Sequence, residues 1–168
     1  MLSERVDAVT VAANSVSTLA PLDLTPLLAR EGLVLVKLTL TDSRGSVLSD
    51  NLYWQGLNAA SQQRLERLPP QPIAVSARAH QVGEDTRVDV VLKNRGRAPT
   101  LNVKITMLDA SGVRVLPVYY DDNYIALLPG ESRRIEVLCP TGSARCARLA
   151  LRGWNAEKRE IPVQSPTP

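Results

Sequence analysis

Aromatic side chains are scarce in this sequence. Phenylalanine is absent and aromatic residues make up 4% of the chain, although 44% of its 168 residues are apolar. A buried core must therefore be built from valine, leucine, isoleucine and alanine, and the β-branched members of this set favour strands. The length suffices for one ordinary domain or two small ones. The composition predicts a β-rich globular chain.

Groups that carry catalysis are also few. The chain has one histidine, His80, as the base for a Ser-His-Asp triad, and it has no Gly-x-Ser-x-Gly elbow. Its nine glycines fall singly in turns rather than in a phosphate-binding loop. The glutamates lie in turns, at a solvent-facing strand position or near the C-terminus, outside any apolar pocket of the kind that general acids occupy: Glu84, Glu131, Glu136, Glu157 and Glu160. We therefore predict no catalytic residues and no cofactor.

Long apolar runs and basic clusters are missing as well. No stretch approaches the roughly 20 apolar residues of a membrane span, and Lys37 interrupts the most apolar one, residues 33–40. The first eleven residues lack a basic segment followed by an apolar core, so no secretion signal is predicted there. The net charge is +3, but the sixteen arginines and four lysines are scattered and not interleaved with stacking aromatics. We predict neither a membrane nor a nucleic acid as a partner.

The two cysteines, Cys139 and Cys146, flank the sequence PTGSAR at the tip of a predicted hairpin. Strand ends that face each other in this way can bring two Cβ atoms to the roughly 3.8 Å that a disulfide needs. Two unpaired thiols in a loop are the alternative, and zinc would need two further ligands. Both states of the cysteines stay open. If the disulfide forms, a periplasmic or secreted location is favoured for the protein.

Residues 1–56 have the pattern of an incomplete β-sandwich. The expected elements are strands at residues 6–12 and 15–19, a helical turn begun by Pro26 and ended by Gly32, and strands at residues 33–41 and 48–54 around a turn at residues 42–45. Four or five short strands are too few to close a two-sheet sandwich. We interpret residues 1–56 as a partial β-sandwich, because a closed immunoglobulin-like (Ig-like) sandwich has about seven strands.

The strand at residues 33–41 alternates most regularly in this half. Its apolar and polar faces are formed, respectively, by Val34, Val36, Leu38 and Leu40 and by Lys37, Thr39 and Thr41. A half-sandwich leaves an apolar face and a strand edge uncovered, which favours association. We expect residues 1–56 either to be mobile, to pack against the second domain or to mediate self-association.

The rest of the chain has the pattern of a complete domain. Residues 57–72 lose their periodicity and end in a proline cluster, which leaves room for one turn of helix at residues 62–68 and predicts an interdomain linker. Residues 73–163 carry seven alternating strands with turns every eight to twelve residues, the pattern of an antiparallel Ig-like β-sandwich. Residues 164–168 are predicted to be a disordered tail. The fold class is therefore all-β, a complete sandwich preceded by a partial one.

Residues 115–137 hold two strands around an acidic-amide turn, followed by a Leu-Leu-Pro-Gly-Glu turn. Pro129 and Gly130 suit the second and third positions of a type II turn, where glycine supplies the positive φ. Asp121, Asp122 and Asn123 offer oxygen ligands for calcium, but the twelve-residue calcium-loop pattern is absent and we predict no metal site. We interpret the side chains of this turn as partners for backbone amides.

Three segments resemble one enzyme family in their order and spacing. They are SDNLYW at residues 49–54, LPVYYDDNYIALLPGES at residues 116–132 and RGWN at residues 152–155. Together they resemble the C-terminal end of glycoside hydrolase family 2 enzymes of the exo-β-D-glucosaminidase, β-mannosidase and mannosylglycoprotein endo-β-mannosidase types. In that family a catalytic (β/α)₈ barrel carries the two catalytic glutamates, and two β-sandwiches follow it. The resemblance implies that residues 1–56 are the C-terminal half of the first of these Ig-like sandwiches and that residues 73–163 are the complete second one.

The resemblance implies a chain without glycosidase activity of its own, because no segment matches the motifs around those glutamates. It implies a structural partner, the catalytic barrel of a parent hydrolase, and an oligosaccharide near the aromatic and polar side chains of the three segments. The candidates are Tyr53, Trp54, Tyr119, Tyr120, Asp122, Asn123 and Trp154. For the two tryptophans, a role in the core or at a domain interface is the competing interpretation. Two alternative functions stay open: an independent carbohydrate-binding module that stacks sugars on aromatic rings, and a non-enzymatic interaction sandwich.

Overall fold

The computed structural model describes residues 5–141 and 145–165, and its sheets are antiparallel throughout, which confirms the predicted all-β class. The elements in chain order are α1 Thr25–Glu31, β1 Leu33–Thr41, β2 Val47–Gly56, α2 Ala59–Gln62, a 3₁₀ helix Gln63–Arg67, β3 Ile73–Val82, β4 Asp85–Asn94, β5 Thr100–Leu108, β6 Tyr119–Tyr120, β7 Ile125–Leu127, β8 Ser132–Cys139, β9 Arg148–Arg152 and β10 Arg159–Pro162. None of the described helices has the length and apolar character needed to cross a membrane.

Strands β3 to β10 form the Ig-like sandwich. Its two sheets have the strand orders β3-β4-β8-β6 and β10-β9-β5-β7. In the pairing of β4 with β8, Val88 lies opposite Val137 and Val90 opposite Ile135, and all four side chains are fully buried. Alternation along each strand brings these side chains to the inner face. The buried cluster of the described residues consists of aliphatic side chains, Met107 and the two cysteines, as a chain without phenylalanine requires.

Strand β10 was missing from the prediction, and it raises the number of strands in the sandwich from seven to eight. It lies at the edge of its sheet, where it pairs with β9. Only Ile161 of its four residues is partly buried, and it ends in Pro162. An edge strand tolerates proline and charged side chains, so it shows little of the apolar alternation by which strands are predicted.

The chain remains paired beyond the predicted end of the sandwich. The backbone of Gln164 donates to Ala77 and accepts from Ala79, so the predicted disordered tail does not begin at residue 164. Residues 166–168 of that predicted tail lie outside the described residues.

The N-terminal region forms fewer strands than predicted. Residues 5–24 contain no strand, so the strands predicted at residues 6–12 and 15–19 are wrong for this chain. Strands are held by hydrogen bonds to a neighbouring strand, and the described part of the chain places none beside this segment. The predicted helical turn is confirmed: α1 has a proline in its first turn and ends at Gly32, where φ is +73°.

The β1–β2 hairpin presents its polar face to the sandwich. Lys37 on β1 forms an ion pair with Glu131, and Asp50 on β2 forms one with Arg133. The apolar face of β1 points away from the sandwich, and Leu38 remains 52% exposed. Burial along β1 does not alternate between the two predicted faces: residues 33–37 are partly buried and residues 38–41 are exposed. Of residues 1–56, the β1–β2 hairpin packs against the sandwich, and it does so through the face that carries Lys37 and Asp50.

The segment predicted as a linker is folded. It contains α2 and the 3₁₀ helix, which lies where a single helical turn was predicted. The Asn58 side chain accepts a hydrogen bond from the backbone of Ser61 at the start of α2, and Leu65 is buried. At the end of the segment, the buried Gln71 side chain donates to two carbonyls of the proline cluster and accepts from two N–H groups of the β4–β5 turn. These bonds tie the segment to the sandwich.

Cys139 and Cys146 form a disulfide bond that closes the loop between β8 and β9. Of the two states that the sequence leaves open, the structure has the paired one. Both cysteines are buried and belong to the core of the sandwich.

Candidate functional site

A groove lies between the hairpin and the sandwich, and we call it the hairpin groove. It has a volume of about 240 Å³ and is bounded by β1, β2, the start of β5 and the loop that leads into β7. The polar and aromatic residues that line it are Lys37, Asp50, Asn51, Trp54, Asn102, Asp122, Tyr124, Glu131 and Arg133. Several of them come from the sequence segments singled out above.

An ion-pair network crosses the hairpin groove. Lys37 Nζ lies 2.5 Å from Glu131 Oε1 and 3.2 Å from Asp50 Oδ2. Arg133 Nη2 donates to both carboxylate oxygens of Asp50 at 2.6 Å. Asp122 lies farther from Arg133, at 3.8 Å. Three carboxylates thus face two cations within the network, and the ammonium of Lys104 lies near the groove at the Tyr124 ring.

The network favours the charged forms of Lys37, Asp50 and Arg133. The hydrogen bond from Arg133 keeps the pKa of Asp50 below its ordinary value, against the effect of burial. Burial acts to lower the pKa of Lys37, but hydrogen bonds to Glu131 and Asp50 together outweigh it and raise the pKa. The hydrogen bond to Asp50 likewise raises the pKa of Arg133. At neutral pH the hairpin is therefore bound to the sandwich by fully charged groups.

Two tryptophans meet beside the ion-pair network. The ring centroids of Trp54 on β2 and Trp154 after β9 lie 6.4 Å apart with an interplanar angle of 80°, an edge-to-face arrangement. The side chains remain 39% and 45% exposed. Tyr124 lines the groove with 59% exposure, and the Lys104 ammonium lies 5.1 Å from its ring centroid. Three of the six aromatic residues of the chain thus gather at this site while staying open to solvent.

The backbone beside the groove is unusual at two positions. Asn102 and Tyr124 have positive φ angles of +49° and +58°, which are uncommon for residues other than glycine. The β5–β7 register shifts around Asn102, so this residue lies in a bulge. The Asn123 side chain accepts from the N–H of Ile105 at 2.9 Å and donates to the carbonyl of the same residue at 3.0 Å. These two bonds fix the loop and place the Tyr124 ring at the groove.

The structure brings only some of the predicted site residues together. Trp54 and Asp122 line the groove, and Trp154 contacts it through Trp54. The other candidates lie elsewhere: Tyr53 on the opposite face of β2, Tyr119 exposed on β6, Tyr120 half-buried beside the core, and Asn123 bound to the β5 backbone. The Tyr120 hydroxyl accepts from the N–H of Met107, and burial raises its pKa. Contact of any of these residues with carbohydrate stays a prediction.

Sequence reasoning missed seven of the polar and aromatic residues that line the groove: Lys37, Asp50, Asn51, Asn102, Tyr124, Glu131 and Arg133. Asp50, Asn51, Tyr124 and Glu131 lie in two of the three segments that carry the resemblance, so their signal was their position beside the candidates named there. Asn102 gave no signal, because its positive φ angle depends on the bulge in β5. Lys37 did give one, since it interrupts the most apolar run of the chain. Arg133 is one of two adjacent arginines, and only the pairing of β8 decides which of them faces the hairpin.

Within residues 5–141 and 145–165, no three histidine, cysteine, aspartate or glutamate side chains come close enough to hold a metal ion. His80 Nδ1 lies 3.5 Å from Asp89 Oδ2 in the β3–β4–β8 sheet, outside the hairpin groove.

One family model matches most of the sandwich together with part of β2. The model of the exo-β-D-glucosaminidase Ig-fold domain matches residues 51–156. This range begins in β2, includes the helical segment and ends after β9, so it contains most of the residues that line the hairpin groove.

Comparison with known proteins gives relatives of one kind over most of the chain. The exo-β-D-glucosaminidases of Streptomyces avermitilis and Amycolatopsis orientalis are 29% and 31% identical to it, over 77% and 80% of its length. A mannosylglycoprotein endo-β-mannosidase of Lilium longiflorum is 39% identical over 51 residues, which cover 30% of this chain and 5% of that protein. The chain spans only 17% and 15% of the two glucosaminidases.

A solved structure has the same fold. The crystal structure of the Amycolatopsis orientalis exo-chitosanase CsxA superposes with a TM-score of 0.69 and 26% identity, over 79% of this chain and 18% of that one. Fold, family model and relatives agree over the same part of the sequence. The chain belongs to the Ig-fold domain family of exo-β-D-glucosaminidases.

Proposed function

We propose that this chain is the non-catalytic, C-terminal accessory region of a glycoside hydrolase family 2 β-glycosidase of the exo-β-D-glucosaminidase type. The observation that carries the proposal is the match of an Ig-fold domain to residues 51–156, in a chain that spans about one-sixth of two exo-β-D-glucosaminidases. The remaining length of such an enzyme would contain the catalytic barrel. The relatives that cover most of the chain favour a glucosaminidase, whereas the mannosidase relative matches only 51 residues.

The accessory role is to brace the barrel. We assign residues 1–56 to the second half of one sandwich and residues 73–163 to a complete second one, with residues 57–72 between them. The apolar face of β1, which includes the exposed Leu38 and Leu40, is available to the missing half of the first sandwich. The ion-pair network and the tryptophan contact would then transmit this support from the first sandwich to the second.

The disulfide between Cys139 and Cys146 supports a location for the parent enzyme. Disulfides persist in oxidising compartments and are rare in the cytosol. A periplasmic or secreted glycosidase is therefore the form of the proposal that fits the covalent structure.

The proposal is tested with a chimera. In the Amycolatopsis orientalis exo-β-D-glucosaminidase, the region aligned with this chain is replaced by this chain, and hydrolysis of aryl β-D-glucosaminide and aryl β-D-mannoside is measured. We expect the chimera to fold and to hydrolyse the glucosaminide well above the level of a deletion variant. A second chimera with an unrelated Ig-like sandwich of similar size controls for bulk alone.

The purified chain by itself is assayed on the same two substrates, and we expect no turnover of either. Turnover by the isolated chain would contradict the non-catalytic assignment. A folded chimera no more active than the control chimera would contradict the bracing role.

A further inference from the structure

We infer that the hairpin groove is a binding subsite for a β-linked glycan that carries free amino groups, with an amino-sugar ring against the Trp54–Trp154 pair and Tyr124 and its ammonium group at Asp122. This inference rests on the proposed function, which supplies the amino-sugar class of the glycan. It adds a site on the accessory region itself, outside the catalytic barrel.

The size of the groove suits a small ligand group. Its volume of about 240 Å³ is below the range of about 300–1,000 Å³ that is typical of sites for drug-sized molecules. A groove of this size accommodates one sugar ring of a chain that continues into solvent. Because the groove is open at the surface, the neighbouring rings of a polymer need not be buried.

The aromatic side chains supply the surface on which a sugar ring packs. A pyranose ring presents apolar C–H groups on one face, and aromatic rings that stay solvent-accessible offer a flat apolar partner for such a face. Trp54, Trp154 and Tyr124 are each 39% or more exposed, in a chain that has six aromatic residues in total. Large aromatic side chains that served only the core would be buried instead.

A carboxylate in the groove would favour a cationic sugar over a neutral one only if one of its oxygens is free to accept a hydrogen bond. Both oxygens of Asp50 accept from Arg133, and the two oxygens of Glu131 accept from Lys37 and from the backbone of Leu128. These two carboxylates are therefore already occupied by donors.

Asp122 is the groove carboxylate with an open oxygen. Its Oδ1 accepts from the N–H of Asn123 at 2.8 Å, whereas its Oδ2 lies 3.8 Å from Arg133, beyond hydrogen-bond distance. The side chain is 42% exposed. An ammonium group donates up to three hydrogen bonds, and a hydrogen bond to a carboxylate oxygen is charge-assisted.

The backbone at Asn102 and Tyr124 fits a preformed site. Positive φ angles at residues other than glycine are costly and cluster at sites that hold ligands. Here they place an amide side chain and an aromatic ring at the rim of the same groove. The amide of Asn102 can bond to a sugar hydroxyl.

The test uses the full chain with two tetrasaccharides, β-1,4-linked glucosamine and its fully N-acetylated, neutral counterpart. Of the two tryptophans of the chain, Trp54 lines the groove and Trp154 contacts Trp54, so intrinsic fluorescence reports binding, and calorimetry measures affinity. We expect the glucosamine tetramer to shift the fluorescence and to bind more tightly than the neutral tetramer. Absence of binding at millimolar ligand, or equal affinity for the two tetramers, would overturn the inference.

Variants locate the site. Asp122→Asn should weaken binding of the glucosamine tetramer about tenfold or more while leaving binding of the neutral tetramer unchanged. Glu157→Gln removes one exposed carboxylate outside the groove and should change neither affinity. Tyr124→Ala should weaken both tetramers, and Tyr124→Phe, which keeps the ring, should restore them. Wild-type affinities in both Asp122→Asn and Tyr124→Ala would place the sugar elsewhere and end the assignment.

These results separate the two proposals. If the chimera is active and the chain binds neither tetramer, the bracing role stands and the subsite falls. If the chain binds glucosamine but the chimera has only control activity, the subsite stands as a property of a free-standing binding module.

Discussion

Gly130 sets the turn that leads from the groove loop into β8. Its φ is +83°, and the N–H of Glu131 donates to the carbonyl of Leu128 across it, which is the hydrogen bond of a type II turn. A Cβ at this position would meet no atom within 4 Å, so the cost of substitution comes from the backbone alone. A β-branched residue tolerates positive φ poorly. The glycine is therefore required by conformation and not by space.

We predict that Gly130→Val lowers the free energy of unfolding by about 1–3 kcal/mol, the usual cost of a strained backbone position. Asp122→Asn is the matched comparison in the neighbouring loop, and as an isosteric change of a partly exposed side chain it should stay within about 0.5 kcal/mol. Thermal or urea unfolding of both variants measures the difference. The reverse order of the two effects would show that the acidic loop, not the turn, limits stability.

Single residues also show where sequence reasoning stops. The positive φ of Gly130 was predictable because proline precedes it and the turn chemistry is local. The contact between Trp54 and Trp154 was not, since it joins residues one hundred positions apart. The scarcity of aromatics was the available signal that these two side chains deserved separate attention, and it carries no information on which surface each one meets.

At the scale of elements, the alternation of apolar and polar residues predicted strands well where a strand has neighbouring strands to pair with. Strands β3, β4, β5 and β8 follow their apolar positions because each packs in the sandwich. The strand prediction failed at residues 6–12, which are β-branched and apolar but have no neighbouring strand in the described chain. It also could not tell which face of β1 meets the sandwich. The apolar face would be the ordinary choice for a core, and the observed contact uses Lys37 on the other face.

Docking of the hairpin should depend on pH through Asp50. Its pKa is lowered in the folded chain, so its stabilising effect is present above the unfolded value near 4 and is lost as the pH falls through the lower folded value. We predict that Asp50→Asn lowers the stability of the chain by about 1–3 kcal/mol at neutral pH, because it weakens a largely buried hydrogen-bonded ion pair.

The measurement is the melting temperature of the wild type and of Asp50→Asn between pH 7 and pH 2. The gap between the two should be widest at neutral pH and should close at the acid end. Asp7→Asn, which breaks an exposed pair with Arg5, serves as the control and should change little at any pH. A gap that stays constant down to pH 2 would mean that the charge of Asp50 contributes nothing to docking.

At the scale of the whole molecule, the outer face of the β1–β2 hairpin is apolar and lacks a packing partner among the described residues. Leu38, Leu40 and Tyr53 are each more than half exposed on the side of β1–β2 that faces away from the sandwich. In the proposed parent enzyme this face would be covered by the other half of the first sandwich. In the isolated chain it has no such cover, and a flat apolar sheet face of this kind promotes association.

We therefore predict that the isolated chain self-associates as its concentration rises, and that the double variant Leu38→Lys, Leu40→Lys is monomeric. Sedimentation equilibrium across a concentration series measures this, and Val91→Lys, which places the same charge at a 40% exposed position on the sandwich, should associate like the wild type. All three substitutions fall on exposed side chains, so the unfolding temperatures should change little. A difference in association between the variants would then report on the apolar face of the hairpin. A wild-type chain that stays monomeric up to about 1 mM would show that association through this face contributes less than about 4 kcal/mol, and the hairpin would then need no cover in the parent enzyme.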